Sequence, residues 1–77
     1  GNIKLVILAN DASPNTMKLI KNKTSSYKVP LRVFGTREEL GIALGKGERV
    51  NVGITDQGFA KKLLSMIDEY REEWLYE

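Results

Sequence analysis

The stretch KLVILANDASPNT, residues 4–16, decides the fold class. Five apolar residues, 5–9, run without interruption into Asn10 and Asp11, and a serine and a proline follow. An unbroken apolar run is typical of a strand that is covered on both faces of a sheet. Ser13 suits a helix N-cap, and Pro14 suits the first helical position, where its missing N–H has no partner in any case. The stretch therefore predicts a buried strand over residues 3–9 and a helix over residues 14–27.

Two further strand–helix units follow. LRVFG at 31–35 predicts a short strand, and TREE at 36–39 has the capping-box pattern that begins a helix, here one ending at residue 44. RVNVGI at 49–54 alternates as a strand does, and TDQG at 55–58 begins the last helix. That helix carries an apolar stripe of Phe59, Leu63, Ile67, Tyr70 and Trp74. Strands that alternate with helices favour an α/β domain with a largely parallel sheet.

The turns after the three strands are candidate binding segments. In a parallel sheet these turns gather at the carboxyl ends of the strands, where ligands usually bind. Residues 10–13, 35–37 and 55–56 are therefore expected to lie together. Free backbone N–H groups at three helix starts would give this edge an anion-facing character.

Composition excludes several classes of site. The chain has 77 residues, which fits one domain, and it contains no cysteine and no histidine. Disulfides, thiolate metal sites and histidine-activated nucleophiles are thus excluded, and we expect no cofactor and no metal site. No apolar run reaches the length of a membrane span, and no signal peptide is visible, so we expect a cytoplasmic protein.

Charge is divided unevenly along the chain. Residues 1–67 hold eleven Lys or Arg against five Asp or Glu, a balance of +6, whereas residues 68–77 hold one against five, a balance of −4. A basic body favours a phosphate-bearing partner, although charged residues on a surface are more often simply solvated.

Asp11 and Asp56 leave an enzymatic alternative open. Two carboxylates at strand ends could hold magnesium beside a substrate phosphate. The same acids could instead only assist helix starts, where the helix dipole favours negative charge. The chain has neither a G-x-G-x-x-G motif nor a P-loop, so no motif supports nucleotide binding.

Four segments in order resemble one family closely: KLVILANDASPNT, YKVP, TREELGIALGK and RVNVGITDQGFAKKLL. The chain resembles the kink-turn-binding ribosomal proteins of the L-seven-Ae and L-thirty-e type, and within them the small bacterial members. The resemblance covers about residues 3–64, and ELG-x-A-x-G with a preceding VP is its most specific motif. It implies a three-layer α-β-α sandwich with a mixed sheet, a structured RNA ligand with a sharp kink, ribosome or translation association, and no catalysis.

The family reads its RNA with three segments. The first, a Gly-x-Asn stretch in an early helix, is not reproduced here, and we expect a single RNA-binding domain that is N-terminally incomplete. The second and third correspond to residues 10–17 and 46–50. Ser13 departs from the acid that several members carry at its position.

The resemblance, together with side-chain chemistry, implies roles for individual residues. Arg37, Lys46 and Arg49 would contact phosphates, although Arg37 could be only solvated and Arg49 could pair with Glu48. Met17 and Val50 would contact unstacked bases, but each could equally be a core residue. The complete expected RNA-binding set is Asn10, Asp11, Ser13, Met17, Lys18, Lys21, Arg37, Lys46, Gly47, Glu48, Arg49 and Val50.

The acidic tail DEYREEWLYE, residues 68–77, supports a different hypothesis. Aromatic side chains such as Trp74 and Tyr76 are enriched at protein interfaces, so the tail could bind a partner or form a dimer. The alternative is that Trp74 only covers the core of the last helix.

Overall fold

The computed structural model describes the backbone of residues 2–75 and the side chains of residues 2–69. All six predicted elements are present in the predicted order, and every boundary that the sequence predicted agrees with the observed one to within two residues. The elements are β1 (Leu5–Leu8), α1 (Pro14–Ser26), β2 (Leu31–Val33), α2 (Arg37–Ala43), β3 (Asn51–Ile54) and α3 (Gln57–Leu75).

The helix starts form as their sequences predict. Ser13 is the N-cap of α1, and its hydroxyl oxygen accepts the N–H of Thr16 at 3.2 Å. Thr36 caps α2 in a capping box: its hydroxyl accepts the Glu39 N–H at 3.1 Å, and the Glu39 carboxylate accepts the Thr36 N–H at 2.8 Å. These side chains satisfy backbone donors that a helix start otherwise leaves unpaired.

The sheet is mixed, with the strand order β2-β1-β3. β1 and β2 are parallel, with Val6 opposite Leu31, whereas β1 and β3 are antiparallel, with Leu5 opposite Ile54 and Leu8 opposite Asn51. The mixed sheet implied by the resemblance is confirmed, and the largely parallel sheet inferred from element order is wrong for β3. The physical reason is that the chain after α2 turns back to the edge where α2 began, instead of crossing to the other edge.

Helices cover both faces of the sheet, which confirms the three-layer architecture. On one face, Leu5, Ile7 and Ala9 pack with α2 and α3 side chains in a single core cluster, which includes Leu40, Ala60 and Ile67. On the other face α1 packs against β1. Every residue of β1 is buried, as the unbroken apolar run predicted.

Two aromatic side chains are exposed, and one of them, Phe59, belongs to the predicted stripe of α3. Leu63 and Ile67 pack in the core as expected, but Phe59 is 52% exposed, and the neighbouring Ala60 is buried instead. Tyr27, at the end of α1, is 75% exposed. The predictions on the side chains of Tyr70, Trp74 and Tyr76 lie outside the described residues. Within the described part of the chain, no helix has the length and apolar character needed to cross a membrane.

Candidate nucleic-acid interface

Three loop segments meet at the carboxyl end of β1. The N–H of Ala9 donates to the carbonyl of Val50 at 2.8 Å, and the N–H of Asn10 donates to the carbonyl of Gly35 at 2.8 Å. The N–H of Arg49 donates to the carbonyl of Arg37 at 3.0 Å. These bonds join residues 10–13, residues 35–37 and residues 46–50 into one surface, which we call the loop edge.

The turn after β3 does not belong to the loop edge. Because β3 is antiparallel to β1, its carboxyl end lies beside the start of β1, and residues 55–56 follow from there. The prediction that all three strand-to-helix turns share one edge is therefore wrong for Thr55 and Asp56. The loop before β3 takes that position, since the amino end of an antiparallel strand lies at the carboxyl end of its neighbour.

The paired-carboxylate hypothesis fails for the same reason. Asp11 and Asp56 are separated by at least the length of β1, about 10 Å for a strand of four residues. Asp56 instead accepts the N–H of Phe59 at 2.7 Å, in the position of an N-cap for α3. Among the described residues, no three acidic side chains are grouped so that they could hold a metal ion.

The third segment is held against α2 by two glycines of the ELG-x-A-x-G motif. Gly45 has a φ of +68°. Its N–H donates to Ile42 at 3.0 Å, and the next N–H, of Lys46, donates to Gly41 at 2.9 Å. This is a Schellman motif, in which a left-handed residue ends the helix. It turns the chain back along α2 and toward β1.

Gly41 allows the loop to lie directly on the helix. A Cβ at position 41 would overlap the carbonyl oxygen of Gly47 and would lie 2.8 Å from its carbonyl carbon. Gly41 is part of the ELG-x-A-x-G motif but is not among the expected RNA-binding residues. A signal was available, since glycine inside a helix costs about 1 kcal/mol relative to alanine and usually has a packing reason.

The loop presents both charge and apolar surface. Residues 46–49 are exposed, and Val50 is half-buried and directly precedes β3. The guanidinium of Arg49 folds back on its own loop, where Nη1 donates to the carbonyls of Gly47 at 3.2 Å and Glu48 at 2.9 Å. The expected Arg49–Glu48 contact thus involves the backbone carbonyl of Glu48. Arg49 stabilises the loop, while Lys46 extends from it.

The segment at residues 10–17, the second of the three that the resemblance implies, continues from the turn after β1 onto α1. Asn10 and Ser13 are exposed, and Met17 is half-buried. Lys18 and Lys21 are exposed on α1, and a helical rise of 1.5 Å per residue puts them about 6 and 10 Å along the axis from Pro14. Residues 17–21 therefore lie in the half of α1 that begins at the loop edge.

Asp11 and Arg37 join the first two turns of the loop edge. The Arg37 backbone N–H donates to Oδ1 of Asp11 at 3.0 Å, and Nη2 of Arg37 donates to the Asp11 carbonyl at 2.8 Å. Nε of Arg37 lies 3.5 Å from Oδ2 of the same residue. The expectation of free N–H groups at this helix start is therefore wrong for Arg37, because a carboxylate from a neighbouring turn already accepts its N–H.

The cations at the loop edge differ in whether they form an ion pair with a carboxylate. Within residues 2–69, the ion pairs are Arg37–Asp11 and Arg32–Asp68, and neither includes a lysine. The ammonium groups of Lys18, Lys21 and Lys46 therefore have no carboxylate partner in that part of the chain. Arg49 also lacks a carboxylate partner there, but its guanidinium donates to two backbone carbonyls of its own loop.

The chain is similar to the members of one protein family. Residues 1–64 match the model of the ribosomal protein L7Ae/L30e/S12e/Gadd45 family. A protein named RNA-binding protein YlxQ from Bacillus subtilis (strain 168) is 51% identical over 65 residues, which cover 84% of this chain and 65% of that protein. A protein of the same name from Enterococcus faecium is 45% identical over 65 residues, covering 84% of this chain and 62% of that protein.

The fold has a solved counterpart. A structure described as a protein with unknown function from Bacillus halodurans C aligns with a TM-score of 0.85 at 47% identity, over 88% of this chain and 69% of that one. This chain spans just under two thirds of the length of the two YlxQ proteins that it matches. From the extent of the family match and the identity to these relatives, the chain belongs to the ribosomal protein L7Ae/L30e/S12e/Gadd45 family.

Proposed function

We propose that this protein is a non-catalytic RNA-binding protein that recognises kink-turn-type structured RNA through the loop edge. The observation that carries the proposal is the antiparallel pairing of β3, which brings residues 46–50 beside the turn at residues 10–13. The relatives named RNA-binding protein support it. Association with the ribosome or the translation apparatus, in the cytoplasm, belongs to the same proposal and rests on the family.

The chemistry of the loop edge fits a kinked RNA better than a straight helix. A sharp kink brings phosphates of two helical arms close together and pushes bases out of the stack. Proteins recognise RNA sequence mainly through such unstacked bases, whereas cations and backbone N–H groups contact phosphates. The loop edge combines half-buried apolar side chains with lysines that have no carboxylate partner within residues 2–69, so it offers both kinds of contact.

The role of each side chain in RNA binding follows from its exposure and its contacts within the protein. Lys46 contacts phosphate from the third segment, and Lys18 and Lys21 contact phosphate along α1. Met17 and Val50 are half-buried, so each contributes to packing and still exposes apolar surface to a base. Asn10 and Ser13 supply exposed polar groups at the first turn, and Gly47, Glu48 and Arg49 shape the loop.

A titration with two RNAs tests this function. A labelled kink-turn RNA and a straight duplex of equal length are titrated with the protein at several salt concentrations, while the fluorescence of labels on the two arms reports RNA folding. We expect tighter binding to the kink-turn RNA than to the duplex, and closure of the two arms on binding. Equal, weak and strongly salt-dependent binding to both RNAs would instead indicate a nonspecific basic surface.

A further inference from the structure

We propose that Asp11 and Arg37 are a pair of positioning residues that fix the spacing between the RNA-binding segments, and that Arg37 acts through Asp11 rather than by contacting a phosphate. This inference rests on the proposed function. It differs from the phosphate contact that the sequence predicts for Arg37. It also explains why an exposed carboxylate, that of Asp11, lies on a surface that binds an anionic ligand.

The contacts between the two residues are reciprocal. Asp11 accepts the backbone N–H of Arg37 at 3.0 Å, and the Arg37 side chain donates to the backbone carbonyl of Asp11 at 2.8 Å. The side chains also approach each other, with Nε 3.5 Å from Oδ2. Each residue therefore holds the main chain of the other, so the pair fixes the turn after β1 relative to the start of α2.

Arg37 also contacts the loop at residues 46–50, through its backbone carbonyl. The carbonyl of Arg37 accepts the N–H of Arg49 at 3.0 Å, and Arg49 in turn holds two carbonyls of its own loop. Arg37 thus contacts the turn at residues 10–13 on one side and the loop at residues 46–50 on the other. A shift of Arg37 changes the position of both RNA-facing segments.

The guanidinium of Arg37 is already engaged by its neighbour. Its Nη2 and Nε are directed at Asp11, and only 38% of the side chain is exposed. A phosphate at this place would also approach the Asp11 carboxylate, which would repel it. An exposed ion pair by itself adds little stability, so the value of this pair lies in the hydrogen bonds that orient the segments, above all the charge-assisted bond that the Asp11 carboxylate accepts from the Arg37 N–H.

The direction in which Asp11→Asn changes RNA affinity distinguishes a positioning role from a direct electrostatic effect. If Asp11 acted only through its charge, Asp11→Asn would tighten RNA binding, because it removes a negative charge near an anionic ligand. If Asp11 positions the turn, the same isosteric change weakens binding, because the charge-assisted hydrogen bond to the Arg37 N–H becomes a weaker neutral one and the attraction to Nε is lost. A direct phosphate contact from Arg37 would lower the slope of log Kd against log salt by about 0.7–0.9 in Arg37→Gln, whereas positioning leaves the slope unchanged.

The experiment uses Asp11→Asn, Arg37→Gln and the double variant, with kink-turn RNA as the probe at four salt concentrations. Asp68→Asn and Arg32→Gln are matched controls, because they form the other side-chain ion pair of the described residues, at 3.0 Å between β2 and α3 and outside the loop edge. We expect each single change at the loop edge to weaken binding about five- to tenfold, the double variant to be no worse than either, and all slopes to stay unchanged. We expect the controls to bind as the wild type does.

Tighter or unchanged binding by Asp11→Asn would overturn the proposal, and so would a lower slope for Arg37→Gln. Backbone amide chemical shifts of the free protein give a second readout that needs no RNA. In Asp11→Asn they should change at residues 46–50 as well as at Arg37, and the Asp68→Asn control should leave those loop signals unmoved. An unperturbed loop would overturn the proposal even if RNA binds. Failure of the wild type to prefer the kink-turn RNA would count against the proposed function instead.

Discussion

Gly41 of α2 and Gly47 of the following loop are in direct backbone contact. A Cβ at position 41 would overlap the Gly47 carbonyl oxygen and would also lie 3.0 Å from Cα of Glu48. The loop therefore sits on the helix only because position 41 lacks a side chain. This contact and the Schellman hydrogen bond from Lys46 to Gly41 hold the third segment at the loop edge.

Gly41→Ala is expected to weaken kink-turn RNA binding about tenfold, a loss of about 1.4 kcal/mol. Alanine improves helix propensity by about 1 kcal/mol, so α2 itself should persist while the loop moves away from the RNA. Fluorescence titration gives the affinity, and urea unfolding checks the fold. Gly58→Ala is the matched control, because it adds a Cβ to another helical glycine, on α3 and away from the loop edge, where the nearest atom is Oδ2 of Asp56 at an ordinary 3.5 Å. Equal effects of the two changes would refute the role of the close approach.

Lys46→Gln should lower the slope of log Kd against log salt by about 0.7–0.9, because one phosphate contact is lost. We expect Lys46 to make that contact because its exposed ammonium has no carboxylate partner among residues 2–69. Lys61→Gln removes the same charge from an exposed position in the first half of α3, away from the loop edge, and should leave the slope unchanged. Titrations at four salt concentrations measure both, and identical slopes in the two variants would remove Lys46 from the interface.

Asp56→Ala should destabilise the fold by about 1 kcal/mol and leave RNA affinity unchanged. Its carboxylate accepts the Phe59 N–H at 2.7 Å, and it lies at the edge of the sheet opposite the loop edge. Asp56→Ser, which retains an N-cap oxygen, should recover most of the stability. Urea denaturation and RNA titration test the two parts separately. A large affinity loss in Asp56→Ala at full folding would contradict the assignment of the loop edge.

Leu8→Ala should destabilise the protein by about 2–5 kcal/mol, since the side chain is fully buried and its removal leaves a cavity. For a small domain whose total stability is of order 5–15 kcal/mol, this loss is a large fraction. Leu19→Ala, at a position that is 58% exposed on α1, should change the unfolding free energy by less than about 0.5 kcal/mol. Comparable values for the two variants would mean that the sheet is not the core of the domain.

Local sequence determined the elements, their order and their starts. The apolar run at residues 5–9 is covered on both faces, and Ser13, Pro14 and the Thr36–Glu39 capping box begin their helices where the sequence predicts. The N-cap hydrogen bonds join residues three positions apart, and the apolar run is a local pattern of the sequence. The N-caps and the apolar run can therefore be recognised in the sequence alone, whereas the burial of the strand itself comes from the tertiary contacts of β1 with the helices.

Tertiary structure alone decided the direction of β3 and the partner of Asp11. An alternating apolar pattern is the same in a parallel and an antiparallel strand, so the pattern at residues 49–54 could not predict which edge would receive the preceding loop. Likewise, Asp11 holds Arg37, which lies 26 residues away along the chain, and Gly41 touches a loop whose path follows from that reversal. Long-range contacts fix the candidate site because the backbone hydrogen bonds between Ala9, Arg37 and the residues at 49–50 exist only once the sheet has formed.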